Sequence, residues 1–222
     1  MSLGFRSDCL EGWHFLQNVL EPLRLEPCEG PQVDVLFSYR VGRQRERTRD
    51  FHLLYQGSRL AARSHHERDI QRSLEHELHL LAGLSSSRHF LVRGAAVIVQ
   101  DQALLILGPE GSGVSTLTRS LVRHGAQPFS DGYVLLQRRV ARLETLDGQT
   151  SYPVAGILSC RYRRGHRFRP QRLSPGAVAL EIFGQAPGAA LQAQMILSEG
   201  AELARRCPAW KGDRPDARAI VP

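Results

Sequence analysis

Residues 103–123 read ALLILGPEGSGVSTLTRSLVR: an apolar run, a stretch carrying three glycines, then a helical pattern closed by His124-Gly125. No other part of the chain constrains the fold as tightly. Five successive apolar residues, Ala103 to Leu107, suit a strand buried on both faces. The His-Gly pair suits a helix end. Between them the sequence follows the outline G-x-x-x-x-G-K-[ST], with Val114 where the lysine belongs. In such a loop successive backbone N–H groups point inward, and the following helix N-terminus adds positive potential. Gly108, Gly111, Ser112 and Gly113 would form the cradle. Ser115 stands where a hydroxyl binds Mg²⁺, and Thr116 follows it. The competing reading is a glycine-rich strand-to-helix turn with no ligand.

Charge sharpens the question. The net charge is +7, and of 29 basic residues only Lys211 is a lysine. Arginine offers a planar fork to phosphates and carboxylates, whereas lysine offers a compact point charge. A lysine-dependent phosphate site therefore has almost nothing to draw on. With 42% hydrophobic residues the chain can bury a substantial core. No apolar run reaches membrane-spanning length and MSLGFRSDCLEGWHFL lacks a signal peptide's continuous apolar stretch, so a cytoplasmic protein without membrane partners is expected. Cys9, Cys28, Cys160 and Cys207 form no C-x-x-C pair and read as reduced, structural thiols.

Along the chain, residues 10–25 suit a short helix, ended by EPCEGPQ with Pro27, Gly30 and Pro31. Val33 to Tyr39 suits a strand, and VGRQRERTRD a charged turn. Phe51 to Tyr55 and Arg59 to Arg63 suit a hairpin around Gln56-Gly57. Helical spacing of Ile70, Leu74, Leu78 and Leu81 predicts a helix from His66 to Leu84. Strands are expected at Phe90–Val99, Ala103–Leu107, Tyr133–Leu136, Val140–Leu146 and Val154–Tyr162. Helices are expected from about Val114 to Arg123, after Ser174-Pro175, and over Ala189–Arg206, with a strand and tail beyond. The whole reads as one α/β domain, 1–222. It has a β-rich opening segment and helix at 1–88, a loop-bearing core at 89–186, and a helix and tail at 187–222.

RGAAVIVQDQALLILGPEGSGVSTLTRSLVRHGAQPFSDGYVLL, Arg93 to Leu136, resembles the HPr kinase/phosphorylase family and its relatives, whose nucleotide-binding core is similar to phosphoenolpyruvate carboxykinase. The family pattern is a His-Gly strand, a hairpin, the glycine loop, a helix ending in Arg-x-Gly, then Asp-Asp-x-Val. RYRRG (Arg161 to Gly165) and the helix after Ser174 resemble the C-terminal part of HPr-kinase-related proteins, some of which accompany peptide-modification gene clusters. The resemblance implies an α/β P-loop fold with a mixed sheet and flanking helices. It implies ATP and Mg²⁺ as cofactors, and transfer of the γ-phosphoryl group to a serine-type hydroxyl of a protein, peptide or small molecule. Gly108, Gly111, Ser112, Gly113, Val114, Ser115, Thr116 and Arg93 are then the nucleotide-side residues. Asp131, 16 residues after Ser115, is the general base or a metal-side carboxylate beside Ser115.

Three positions depart from that pattern: the lysine is Val114, the second aspartate is Gly132, and the histidine is Arg93. Losing one electrostatic contact of the lysine's kind costs on the order of 10²-fold in rate. The alternative is therefore a catalytically silent relative that binds a partner through its arginine-rich surface. Arg93 is the first candidate for a compensating cation. Arg119 lies one turn beyond Ser115 and is expected to point away, and Lys211 has no spacing argument. Leu180 to Gly184 (LEIFG) imitates the family's Glu-Ile-Arg-Gly segment but lies too far from Asp131, so Glu181 reads as an ordinary helix residue. An acceptor other than HPr is favoured for that reason.

RYRRGHRFRPQR, residues 161–172, holds six arginines, a histidine and two aromatics. It suits an acidic peptide, a nucleotide's phosphates or nucleic acid, or simply a solvated strand–turn–strand; nucleic acid is the weakest of these. His76-Glu77-Leu78-His79 misses the i, i+4 spacing of a zinc-protease helix, because residue 80 is leucine. His65-His66 reads as a charged helix start. The sequence leaves the oligomeric state open.

Overall fold

The computed structural model describes residues 1–28, 30, 32–42 and 50–216. Most of the charged turn (residues 43–49), two residues of the EPCEGPQ turn and the end of the tail (217–222) lie outside the described residues. The fold is mixed α/β, with two mixed sheets and, among the described residues, five α-helices. The chain divides into two compact units, Met1–Leu78 and His79–Pro222. The boundary suggested by sequence, at 88/89, falls just after the helix that contains this division.

In the first unit β1 (Leu3–Ser7), α1 (Leu10–Leu20), β2 (Val35–Arg40), β3 (His52–Gln56) and β4 (Arg59–Ser64) precede α2 (Glu67–Ser85), which leads into the second. The sheet order is β1-β2-β3-β4, with β1 parallel to β2 and the other pairs antiparallel. Phe37 and Tyr39, two apart on β2, are buried, as are Leu16 and Val19 of α1, Leu54 of β3, and Ile70 and Leu74 of α2. The Tyr39 hydroxyl lies 2.7 Å from His52 Nδ1 and donates to Glu67 at 3.2 Å. Burial and the Glu67 carboxylate push this phenol well above its usual value.

The second unit contains β5 (His89–Val99), β6 (Gln102–Leu107), α3 (Val114–Arg123), β7 (Gln127–Gln137), β8 (Arg142–Glu144) and β9 (Ser151–Tyr162). They are followed by β10 (Gln171–Arg172), α4 (Pro175–Gln185), α5 (Ala189–Arg206) and β11 (Ala209–Arg214). Sheet order is β10-β11-β9-β6-β5-β7-β8, and β8 also pairs with the start of β9. β5 and β6 form a hairpin whose two turn residues, Gln100 and Asp101, both have positive φ (50° and 58°), the type I′ geometry that matches strand twist.

Strand β6 shows why the sheet is covered on both faces. Ala103, Leu105 and Leu107 enter the large core with Val178 and Ile182 of α4 and Ile196 and Leu203 of α5. Leu104 and Ile106, one residue out of phase, pack with Leu117 and Leu121 of α3. Ser174 caps α4, its hydroxyl accepting from the Ala177 N–H at 3.3 Å, with Pro175 in the first turn. The expected bounds of α3 and α5 coincide with the observed ones. Strand β7 starts at Gln127, well before the expected Tyr133, because the long β5 offers it partners down to Ile98. The segment expected as a strand over Val140–Leu146 shrinks to three residues, since Arg139 and Ala141 adopt left-handed backbone.

No helix among the described residues is long and apolar enough to cross a membrane. All four cysteines are free; Cys160 and Cys207 are buried and Cys28 is exposed. Burial pushes the Cys207 thiol up to about 11 and raises that of Cys160, where the Arg214 guanidinium pulls the other way. At pH 8 only about one Cys207 in a thousand would be thiolate, the reactive form. A thiol reagent on the native protein is therefore expected to label Cys28 first. Cys160 and Cys207 should label only after denaturation, which peptide mass spectrometry would read directly; native labelling of Cys207 at the pace of Cys28 would contradict this.

Candidate functional site

Strands β6, β9 and β11 run parallel, and their carboxyl ends come together: Leu107 pairs with Ser159, and Ser159 with Lys211. Carboxyl ends of parallel strands are where ligands bind in open α/β sheets. The glycine loop leaves β6 at this edge. Ser112 N–H donates to the Pro109 carbonyl at 3.0 Å, closing a tight turn, and Gly111 and Gly113 take left-handed backbone (φ 76° and 81°) that favours glycine. A Cβ on Gly108 would lie 2.6 Å from the Cys160 carbonyl oxygen, so the loop can start here only without a side chain. The Tyr162 N–H donates to the Ser112 carbonyl at 2.9 Å and ties the loop to the end of β9.

Helix α3 begins at Val114, and its first bond to the loop runs from Leu117 N–H to the Gly113 carbonyl, 3.0 Å. Amides earlier in the first turn have no partner within the helix and are open to an anion. Thr116 is exposed on that turn, whereas Ser112 is buried with its hydroxyl lacking a hydrogen-bond partner.

Ser115 and Asp131 meet. Across the sheet, Ile106 pairs with Ala95 and Ala95 with Asp131, so all three present the same face. Ile106 packs toward α3, and Asp131 therefore points to the same helix. Ser115 Oγ donates to Asp131 Oδ1 at 2.7 Å. Two oxygens in cis positions on an octahedral Mg²⁺ sit roughly 2.9 Å apart, so the pair has the spacing of two metal ligands. No cluster of three or more His, Cys, Asp or Glu suited to a metal ion occurs among the described residues. An ion here would complete its shell with phosphate oxygens and water, the usual Mg²⁺ arrangement. Gly132, in the place of a second carboxylate, has φ 128°.

The cations around the loop take different positions. Arg93 does reach the loop, with Nη1 3.5 Å from Glu110 Oε2 and Nη2 donating to Gln185 Oε1 at 3.4 Å. Arg119 folds back on its own helix, Nε donating to the Ser115 carbonyl at 3.1 Å. The Val114 side chain lies against Gly108, where an added Cβ would be 3.1 Å from its Cγ2, and packs on the Ile106–Leu117–Cys160 cluster. Lys211, the lone lysine, pairs with Glu181 at 2.5 Å, and Ser159 Oγ donates to the other Glu181 oxygen at 2.6 Å. Glu181 is thus tied to two strand ends rather than being an ordinary surface residue of α4.

Arg214 is the residue that sequence reasoning does not single out. It ends β11, is 1% exposed, and donates from Nη2 to the Gly113 carbonyl at 2.5 Å and from Nη1 to the Pro215 carbonyl at 3.1 Å. Its guanidinium lies 5.7 Å from the Tyr162 ring centroid, its Nε has no hydrogen-bond partner, and no carboxylate pairs with it among the described residues. A buried, uncompensated positive charge thus sits against the backbone of the glycine loop.

No protein-family model and no curated protein matches the sequence. Among solved structures, the HPr(Ser) kinase/phosphatase from Coxiella burnetii aligns with 56% of this chain and 85% of its own, at 12% identity and a TM-score of 0.29. A likeness of that degree carries no argument about the site.

Proposed function

We propose that the second unit is a nucleotide-binding P-loop core of the HPr-kinase-like type, which holds a Mg²⁺-bound ATP and transfers its γ-phosphoryl group to a serine-type hydroxyl of a protein, peptide or small molecule. The observation that carries this reading is the 2.7 Å contact between Ser115 and Asp131 beside a glycine loop at the ends of parallel strands. Gly108 to Gly113 and the first amides of α3 cradle the phosphates. Ser115 and Asp131 would hold the metal, which when bound would supply positive charge beside the phosphates. Asp131, exposed to solvent, accepts the proton of the attacking hydroxyl as its oxygen bonds to phosphorus and the bridging oxygen leaves with ADP. Arg93 releases Glu110, which is 90% exposed, to meet the phosphate.

One observation favours a second reading, a protein that holds nucleotide without turning it over and serves as a partner-binding scaffold. Val114 is packed into an apolar cluster, so nothing at that position reaches the β- and γ-phosphates.

Calorimetric titration with ATP and ADP, with and without Mg²⁺, tests both readings. Mg²⁺-dependent binding that weakens in Asp131→Asn is expected, and no binding at millimolar nucleotide overturns the proposal. Binding without transfer selects the scaffold. Val114→Lys supplies a sharper prediction. With Arg214 already placing charge against the loop, the added lysine should improve nucleotide affinity by less than about threefold, under 1 kcal/mol. A tenfold gain would mark a site that had simply lost its cation.

A further inference from the structure

The arginine-rich run between β9 and α4 does not lie flat on the surface. It leaves β9 at Tyr162 and returns as β10, which pairs with Trp210 and Lys211 of β11. On the way it crosses β11 so closely that a Cβ on Gly212 would be 3.1 Å from the Pro170 Cα. The turn therefore walls a cleft of about 570 Å³ whose sides include Arg161, Arg167, Arg169 and Lys211, with Ser159 and Glu181 also lining it. Pro109 of the glycine loop lines it too.

The charges around this cleft do not balance. Both carboxylates that line it are already engaged. Glu181 accepts from Ser159 and Lys211, and Asp213 faces Arg163 at 3.2 Å and His166 at 3.9 Å. Arg161, Arg167 and Arg169 have no ion pair among the described residues. Three free guanidinium groups around one concavity focus positive potential into it, and each offers a fork matched to a carboxylate or phosphate. The volume is that of a small-molecule site. Single-stranded nucleic acid would need several open aromatic faces, but Phe168 is half-buried and Tyr162, 44% exposed, has one face turned to Arg214.

We propose that this cleft is a binding site for a small polyanion, a molecule carrying two or more phosphate or carboxylate groups, adjoining the glycine loop but distinct from the nucleotide site. Arg161, Arg167 and Arg169 hold the anionic groups. The paired Lys211–Glu181–Ser159 set lines the site with fixed polar groups. The assignment stands whether or not the loop holds nucleotide.

The test is calorimetry on the full chain with pyrophosphate and tricarballylate as separate probes, in the presence of saturating Mg²⁺-ADP and again without it. At least one probe is expected to bind at one site in the presence of Mg²⁺-ADP. Its affinity should fall by about tenfold or more in the Arg161→Ser/Arg167→Ser/Arg169→Ser variant, as charge-assisted contacts are lost. Mg²⁺-ADP affinity should be the same in parent and variant. All three side chains are exposed, so an unchanged thermal melt is expected to show that the variant folds. Neither probe binding the parent, or equal binding by the variant, overturns the proposal. Parallel loss of Mg²⁺-ADP binding overturns it too, by merging the cleft with the nucleotide site. So does binding only of an oligothymidine probe, which would give the arginines to single-stranded nucleic acid. If Mg²⁺-ADP fails to bind the parent while a polyanion binds through the arginines, the nucleotide reading falls and the cleft remains.

Discussion

Arg214→Met is expected to leave the fold standing while weakening Mg²⁺-ATP binding by about thirtyfold. A guanidinium buried to 1% exposure with no carboxylate beside it has given up its hydration for two backbone carbonyls and the face of Tyr162. Desolvating such a charge costs several kcal/mol, and apolar replacements of similar volume are often neutral or stabilising. The Gly113 carbonyl would keep the Leu117 N–H as a donor. Folding stability, read from a urea transition, should therefore stay within about 1 kcal/mol of the parent or rise. Affinity behaves differently. If the loop holds phosphates, a positive charge about 8 Å away, at an effective dielectric constant of about 20, would be worth about 2 kcal/mol, or about thirtyfold. Arg214→Lys should restore part of that, since the charge returns but the planar fork does not. A variant that loses 3 kcal/mol of stability (roughly two hundredfold in the folding equilibrium) and binds normally once folded would make Arg214 a structural prop only.

How much of this could be read beforehand follows the range of each interaction. Local patterns carried the loop and its flanks: the apolar run of β6, the helix from Val114 and the cap at Ser174 each depend on neighbours within a few residues. The Ser115–Asp131 pairing came from a family resemblance, and the register Ile106–Ala95–Asp131 supplies its physical reason. Strand β1 left no signal, because LGFRS is short, only half-buried and pairs with a strand that begins beyond α1. Arg214 was equally hidden. Its place beside Tyr162 is set by a parallel pairing across the whole α4–α5 crossover, a distance over which sequence spacing says nothing. Glu181 was misjudged for the same reason. Its helix was expected, but its partners Ser159 and Lys211 arrive from two different strands. The valine at 114 was legible as a missing lysine, yet its packing against Leu117 and Ile106 was not.

Gly113→Ala should be the most damaging single methyl in the loop, costing about 3 kcal/mol of stability in urea unfolding. Two separate penalties add. A φ of 81° places alanine in the left-handed region, at about 1 kcal/mol. The new Cβ would also press on Arg214 Nη2 well inside contact distance, and that guanidinium is walled in, so overpacking adds about 2 kcal/mol. Gly111→Ala separates the two effects. Its φ of 76° is nearly the same, but a Cβ there meets no atom within 4 Å, so only the backbone penalty of about 1 kcal/mol applies. Combining Gly113→Ala with Arg214→Met should remove the clash and leave a coupling of about 2 kcal/mol between the sites, measured by a double-mutant cycle. If Gly113→Ala costs no more than Gly111→Ala, and the cycle closes without coupling, the loop does not rest on the arginine. The loop's conformation and the buried charge would then be independent, and Arg214 could not act on a phosphate through it.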